Sequence, residues 1–277
     1  MPSKADIQKK KAPMESFGKV KFMIGLYFSG TGNSRHCITE FLNHCGEAIE
    51  SYSIEDINSI AALETAQDIV LAYPVYFSNI PKILSDYIQQ HGGLFRGKNV
   101  FLIATMGLFS GDGTGCGARI LKKQGAMIKG GLHLKMPDCV CDVKLLKKTM
   151  EKNRLIIKEA EEKSKQAAIN YMSGSPSKEG LGLFSHIAGL FGQRLWFYGK
   201  TRNYSDNLKI DRAKCMGCAT CGSVCPMKNI VMLGGKAISG NSCTMCYRCI
   251  SQCPQKAITL VGDEVVEQCR IENYLYA

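Results

Sequence analysis

Short apolar runs alternate with longer amphipathic segments along residues 20–172 of this 277-residue chain. A run of five to nine apolar residues is typical of a buried strand, and apolar positions spaced three and four apart are typical of a helix. The alternation predicts an α/β fold with a parallel sheet. The predicted strands are residues 20–28, 48–54, 68–73, 99–105 and 132–136, and the predicted helices are residues 34–45, 81–90, 118–124 and 143–172.

The loop after the first predicted strand indicates a phosphate site. It reads Ser-Gly-Thr-Gly-Asn-Ser and leads directly into a predicted helix. Loop N–H groups and the positive end of a helix attract an anion, and the hydroxyl and amide side chains add hydrogen bonds. The loop lacks the lysine of nucleoside-triphosphate loops. The predicted phosphate contacts are Ser29, Gly30, Thr31, Gly32, Asn33 and Ser34.

This strand, loop and helix resemble the FMN-phosphate site of flavodoxins, and the resemblance covers residues 20–172. It implies a doubly wound, five-stranded parallel sheet of order 2-1-3-4-5, with FMN at the switch point between strands one and three. The flavin ring is then expected against the loops after strands three and four. An acidic, tyrosine-containing loop is usual there in flavodoxins, whereas residues 107–115 here are rich in glycine. The expected contacts are Pro74, Tyr76, Phe77, Asn79, Thr105, Met106, Gly107 and Gly111; alternatively, Tyr76 and Phe77 are ordinary core residues.

Eight cysteines near the C-terminus fall in two copies of the spacing C-x2-C-x2-C-x3-C-P, 28 residues apart. Zinc sites normally use two separated pairs of ligands, and disulfide frameworks belong to small secreted domains, so both fit this pattern poorly. The runs resemble those of bacterial two-cluster ferredoxins, in which the fourth cysteine of each run binds the other cluster. The resemblance covers residues 206–262 and implies two [4Fe-4S] clusters. Their expected ligands are Cys215, Cys218, Cys221 and Cys253 for the first, and Cys243, Cys246, Cys249 and Cys225 for the second.

The internal repeat predicts a small α+β domain with outer strands at residues 208–210 and 258–261. We therefore divide the chain into a basic extension (1–19), a flavodoxin-like domain (20–172), a linker (173–205), a two-cluster ferredoxin domain (206–262) and a C-terminal tail (263–277). The linker contains an amphipathic helix within residues 181–199. This helix is expected either to pack between the domains or to bind a partner or a membrane surface.

Charge and composition indicate the class of partner and the cellular compartment. The formal net charge is +11, and residues 208–262 hold seven Lys or Arg against Asp211 alone, which predicts an acidic redox partner. No nucleic-acid motif is present, and no apolar run approaches the roughly 18 residues that cross a bilayer. Fourteen cysteines without an apolar leader predict a reducing cytoplasm, and oxygen-sensitive clusters favour anaerobic life.

Two functions follow from these predictions. The first is electron transfer within one chain between two clusters and an FMN, linking low-potential one-electron donors to a flavin-dependent acceptor. The second is an FMN-dependent reductase of a small-molecule acceptor, with the clusters as its internal electron path. The sequence contains no set of nucleophile, base and orienting residue. It leaves open the direction of electron flow, the partners, the redox potentials and the oligomeric state.

Overall fold

The structure, a computed structural model, describes residues 22–46, 48–77, 79–108, 112–182 and 207–276. Its larger part is a five-stranded parallel sheet of order β2-β1-β3-β4-β5, which confirms the predicted class and strand order. The strands are β1 (Met23–Tyr27), β2 (Ser51–Ser53), β3 (Asp68–Pro74), β4 (Asn99–Met106) and β5 (Met127–Lys135).

Helices cover both faces of this sheet. The helices are α1 (Asn33–Asn43), α2 (Asn58–Thr65), α3 (Lys82–Gln90), α4 (Gly113–Lys123) and α5 (Met150–Met172), with short 3-10 turns at Gly92–Phe95 and Lys144–Leu146. Successive side chains of a strand point to opposite faces. Ile69 and Leu71 of β3 accordingly pack with α2, α3 and α4, whereas Val70 packs with α1 and α5. The continuous apolar runs of β3 and β4 thus reflect burial on both faces.

Several element boundaries differ from the predicted ones. Helix α5 begins at Met150, because Thr149 caps it by accepting a hydrogen bond from Lys152 N at 3.3 Å. Helix α4 begins at Gly113 although glycine disfavours helix, since tertiary packing overrides that preference. Strand β2 is shorter than predicted, β5 begins five residues earlier, and α2 was not predicted.

The C-terminal part consists of short elements around the cysteines. Strand β6 (Lys209–Ile210) pairs with β9 (Ile258–Thr259), close to the predicted outer strands. An unpredicted hairpin joins β7 (Ile230–Leu233) to β8 (Lys236–Ser239) through Gly234 and Gly235, which have φ of 58° and 73°. Positive φ at both turn positions is typical of a two-residue hairpin and explains the glycine pair. The helices here are α6 (Thr220–Ser223), α7 (Arg248–Gln252) and α8 (Glu272–Leu275).

The C-terminal segment, residues 263–276, folds back onto the large sheet. Val266 N donates to Cys141 O at 3.0 Å, Ile271 N donates to Thr31 O at 2.9 Å, and Arg154 Nε donates to Tyr274 O at 3.1 Å. Ile271 and Tyr274 are buried with α1 and α5. This segment therefore connects the cysteine-rich part to the phosphate loop.

Some predictions concern residues beyond those that the structure describes. They are the basic extension of residues 1–19, the helix within residues 181–199 and the flavin contact Gly111. Within the described residues, no helix is both long enough and apolar enough to cross a bilayer.

Candidate functional site

A cavity of about 230 Å³ lies at the carboxyl ends of the central strands. In doubly wound sheets, ligands bind at this edge, where the strand order reverses. Most of the predicted FMN contacts line the cavity, whereas Gly32 and Asn79 do not. The predicted residues that line it are Ser29, Gly30, Thr31, Asn33, Ser34, Pro74, Tyr76, Phe77, Thr105, Met106 and Gly107.

The phosphate loop is shaped by its position before α1. Gly32 precedes the helix with φ of 97°, a left-handed conformation that glycine adopts without strain. Ser34 Oγ and Thr105 Oγ1, both buried, lie 2.8 Å apart and tie the loop to the end of β4. The amino end of α1 therefore faces the cavity with its first-turn N–H groups, which suits an anion.

Two buried polar atoms of this loop have no hydrogen-bond partner among the described residues. They are Ser29 Oγ and Asn33 Oδ1, while Asn33 Nδ2 donates to Pro137 O at 2.8 Å. A buried polar group without a partner costs stability, so such atoms indicate a ligand. The phosphate of FMN can accept from a hydroxyl and its ribityl hydroxyls can donate to an amide oxygen. The loop therefore fits FMN chemically.

The segment after β3 forms another side of the cavity. Tyr76 is 8% exposed and packs in the core, yet it also lines the cavity. It therefore fits both alternatives that the sequence left open. Phe77 holds φ of 47°, a strained conformation for this residue that is frequent at ligand sites. Asn79 instead closes the turn, because its backbone pairs with Tyr76 and its Oδ1 accepts from Ile80 N at 2.9 Å.

Other residues of the cavity were missed by sequence reasoning. They belong to the segment after β5, to the residues flanking the predicted contacts, and to the second cysteine run. Because all the parallel strands end at one edge of the sheet, the sequence could have predicted that the segment after β5 lines the cavity. It gave no signal for the contact with the cysteine run. The missed residues are Val75, Leu108, Pro137, Asp138, Cys139, Val140, Leu146, Met245 and Tyr247.

The eight motif cysteines surround two voids, four to each. All of them are free thiols. No three His, Cys, Asp or Glu side chains in the described ranges are arranged to hold a single metal ion. The first void is lined by Cys215, Cys218, Cys221 and Cys253, and the second by Cys225, Cys243, Cys246 and Cys249. These are the two predicted crossed sets.

The chain places hydrogen-bond donors around the sulfur atoms. Asn229 N, Met245 N and Ala257 N donate to the Sγ atoms of Cys225, Cys243 and Cys253 at 3.3, 3.3 and 3.4 Å. Two further buried groups beside the second void, the Asn229 Nδ2 amide and the Thr244 hydroxyl, have no partner among the described residues. N–H donors to sulfur stabilise thiolates and tune iron–sulfur clusters, so the donor set fits such a cluster.

The internal repeat is visible in the backbone. Ala219 and Tyr247, 28 residues apart, have φ of 60° and 59°, and Lys228 and Lys256, also 28 apart, have φ of 50° and 48°. Positive φ is uncommon for these residue types. The two cysteine loops have positive φ at equivalent positions, so they share one backbone conformation there.

The two voids differ in exposure. Each void has two buried cysteines, but Cys218 of the first is exposed, whereas the other two cysteines of the second, Cys225 and Cys243, are half-buried. A Cβ atom placed on Gly30 would lie 2.1 Å from Cys246 O, so the second run contacts the phosphate loop directly. The first void therefore lies near solvent and the second lies against the cavity.

Arg248 fixes this contact. Its Nη1 and Nη2 lie 2.7 and 2.6 Å from the Glu55 carboxylate, and Nη2 also donates to Ser29 O at 2.8 Å. Both side chains are largely buried, and a buried bidentate ion pair contributes more than an ion pair on the surface. One side chain therefore joins α7, the segment after β2 and the phosphate loop.

Known protein families match both parts of the chain. The model of the flavodoxin domain matches residues 24–124, and that of the 4Fe-4S dicluster domain matches residues 207–254. The chain is a fusion of a flavodoxin domain and a 4Fe-4S dicluster domain. This pair of domains indicates a redox function in electron transfer.

Solved structures similar to the fusion include flavodoxins. Megasphaera elsdenii flavodoxin in its two-electron reduced form is 22% identical, covers 53% of this chain and 98% of its own, and has a TM-score of 0.39. Fusobacterium nucleatum flavodoxin bound to flavin mononucleotide is 13% identical, covers 55% of this chain and 97% of its own, and has a TM-score of 0.39. Among curated protein sequences, no match is found.

Proposed function

We propose that the fusion protein binds one FMN and two [4Fe-4S] clusters and transfers electrons between them within one chain. The observation that carries this proposal is the contact between the second cysteine run and the phosphate loop, at Cys246 and Gly30. Met245 and Tyr247 of the same run line the cavity proposed for FMN. Electron transfer requires short separations, and this contact provides one.

In this proposal, the phosphate loop holds the FMN phosphate through its N–H groups and the Ser29 hydroxyl. Tyr76, Phe77, Met245 and Tyr247 exclude water from the ring. FMN, when bound, accepts one or two electrons and so connects one-electron clusters to an acceptor. The protein supplies placement and tuning of the potentials.

The two cysteine sets have different proposed roles. Cys215, Cys218, Cys221 and Cys253 hold the cluster that exchanges electrons with partners, since Cys218 is exposed. Cys225, Cys243, Cys246 and Cys249 hold the cluster that faces the FMN cavity. The order from solvent is therefore first cluster, second cluster, flavin.

Anaerobic purification followed by cofactor analysis tests this proposal. We expect about eight iron atoms, eight sulfides and one FMN per chain. Reduction of the clusters by a flash-generated one-electron donor should then be followed by bleaching of FMN within the same molecule, at a rate independent of protein concentration. Two zinc ions without flavin would overturn the proposal. Turnover of an added small-molecule acceptor, without any acceptor protein, would favour the reductase.

The surface around the first void suggests the class of partner. Arg248 is turned inward to Glu55, and Lys236 Nζ donates to Cys215 O. The other cations of residues 208–262 are exposed, and two of them have acidic neighbours, Lys209 with Asp263 at 3.1 Å and Lys214 with Asp211 at 3.8 Å. Met216 and Leu233 add exposed apolar surface, 62% and 61% exposed. We propose an acidic redox protein as the partner. The outward cations are Lys209, Arg212, Lys214, Lys228 and Lys256.

Reversing charge at this surface should slow the partner without affecting internal transfer. With an acidic two-cluster ferredoxin as the probe, the Arg212→Glu/Lys214→Glu variant is expected to lose about tenfold or more in association rate at low salt. Stopped-flow mixing at several ionic strengths measures this, and salt should slow the wild type more than the variant. Lys165→Glu, at an exposed position on α5, is the control. A wild-type rate independent of salt would contradict the proposal.

A further inference from the structure

The proposed electron route supplies electrons to the cavity but no protons. Iron–sulfur clusters transfer electrons alone, whereas reduction of a flavin also takes up protons. The second cysteine run and the segment after β5 cover parts of the cavity, through Met245, Tyr247 and Cys139. A side chain that exchanges protons at this position would therefore serve the reaction.

Titratable side chains in the described lining of the cavity are few: Tyr76, Asp138, Cys139 and Tyr247. Burial raises the pKa of Tyr76 and of Cys139 well above their ordinary values, so both stay protonated near neutral pH. Tyr247 donates its hydroxyl to Asp142 Oδ1 at 3.1 Å, and burial raises its pKa too. Asp138 is the remaining titratable group. Of the four side chains, its carboxyl group is the one that can both gain and lose a proton under mildly acidic conditions.

The position of Asp138 suits proton exchange. Its Oδ1 accepts a hydrogen bond from Val140 N at 2.8 Å, which fixes the carboxyl group. Its Oδ2 lies beside Gly107, which also lines the cavity, so closely that a Cβ atom on Gly107 would come within 2.2 Å of it. No described residue donates a hydrogen bond to Oδ2. One oxygen is therefore anchored while the other lies at the cavity.

Among the described residues, no charged neighbour forms an ion pair with the carboxyl group of Asp138. Lys147 Nζ donates to the backbone oxygen of Asp138 at 3.3 Å and to Cys269 Sγ at 2.9 Å. Lys147 and Lys148 lower the pKa of Asp138, as does the hydrogen bond from Val140, but burial outweighs them and the pKa is raised. The thiol of Cys139 is the other titratable neighbour.

We infer that Asp138 exchanges protons with the FMN cavity, releasing one as an electron pair arrives and regaining one from water. Each release leaves a carboxylate, and each uptake restores the acid, so the residue is unchanged after a full cycle. The inference rests on the proposed binding of FMN. It does not depend on the clusters, because electrons that reach the flavin by any route require the same protons.

Asp138→Asn tests the inference, because asparagine keeps the shape and can accept from Val140 N but cannot exchange a proton. FMN is reduced with deazaflavin and light, by whichever route the electrons take, and proton uptake is followed with an indicator dye. We expect uptake to slow by about 100-fold, with recovery in Asp138→Glu. Infrared difference spectra should lose a carboxyl band in Asp138→Asn alone. Asp86→Asn, the same change at an exposed position on α3, is the control.

The pH dependence of the FMN midpoint potential gives a second readout. Reduced, negatively charged flavin raises the pKa of Asp138, so between its pKa with oxidised flavin and its higher pKa with reduced flavin the residue takes up a proton on reduction, and the wild-type potential should fall more steeply with pH in that interval. That steeper region should be absent in Asp138→Asn. Unchanged uptake and an unchanged pH profile, in a variant that still binds FMN, would overturn the inference. Failure of flash-reduced clusters to bleach FMN would instead count against the proposed electron route alone.

Discussion

Replacing Cys253 by serine is expected to remove the cluster of the first run, not that of its own run. Cys253 lines the first void with Cys215, Cys218 and Cys221, and Cys225 lines the second void in the same crossed manner. Serine is a poor substitute for a thiolate ligand. We therefore expect about half of the iron to be lost in either single variant, measured per chain under anaerobic conditions.

Double variants identify which cluster is lost. Cys253→Ser combined with Cys215→Ser should retain the same iron as either single variant, since both ligate one cluster. Cys253→Ser combined with Cys246→Ser should lose nearly all of it. The reverse pattern would show that each run binds its own cluster. Cys269→Ser is the control, because Cys269 is buried close to the cysteine runs but lines neither void.

The two single variants should also differ in function. Without the second cluster, Cys225→Ser should accept electrons at the first cluster and fail to pass them to FMN. Without the first cluster, Cys253→Ser should accept electrons slowly from a protein partner. Flash reduction of its remaining cluster should still bleach FMN. Equal behaviour of the two variants would contradict the proposed order of clusters.

The sequence alone was sufficient to predict the features that depend on a few neighbouring residues. The phosphate loop lies between a strand and a helix, so six consecutive residues specify its position, and the structure places five of them at the cavity. The crossed cysteine sets followed from the resemblance to two-cluster ferredoxins, which rests on a spacing repeat that the positive φ angles of Ala219 and Tyr247 reproduce. The strand order followed from the resemblance that these motifs carry.

Features made by contacts between distant segments were not predictable. Asp138 and Tyr247 meet in one cavity although more than a hundred residues separate them, and the spacing of the cysteine run, in which Tyr247 is a variable position, does not indicate this contact. The C-terminal segment was interpreted as a tail, yet Ile271 packs so closely on the phosphate loop that a Cβ atom on Gly32 would lie 2.2 Å from its Cγ2. Such packing depends on the whole fold, and a short segment without a motif does not indicate where it packs.

Gly30→Ala should uncouple the two halves of the molecule. A Cβ atom there would lie 2.1 Å from Cys246 O and 2.8 Å from Tyr76 Oη. The nearer atom belongs to the backbone of a ligand loop, so the clash cannot be relieved by turning one side chain. Overpacking of this kind costs about 1–3 kcal/mol. We expect the second run to move away from the phosphate loop and electron transfer to FMN to slow, while iron content stays near wild type.

Because Gly30 also belongs to the phosphate loop, weaker FMN binding must be separated from slower transfer. The FMN dissociation constant is measured by fluorescence, and flash reduction is then performed at saturating FMN. Gly93→Ala is the matched control, since no atom lies within 4 Å of its added methyl group. Wild-type transfer in Gly30→Ala with FMN bound would mean that the Cys246–Gly30 contact is not on the electron path. Slower transfer at full occupancy, with both clusters present, would assign the loss to separation of the halves, because neither cofactor has changed.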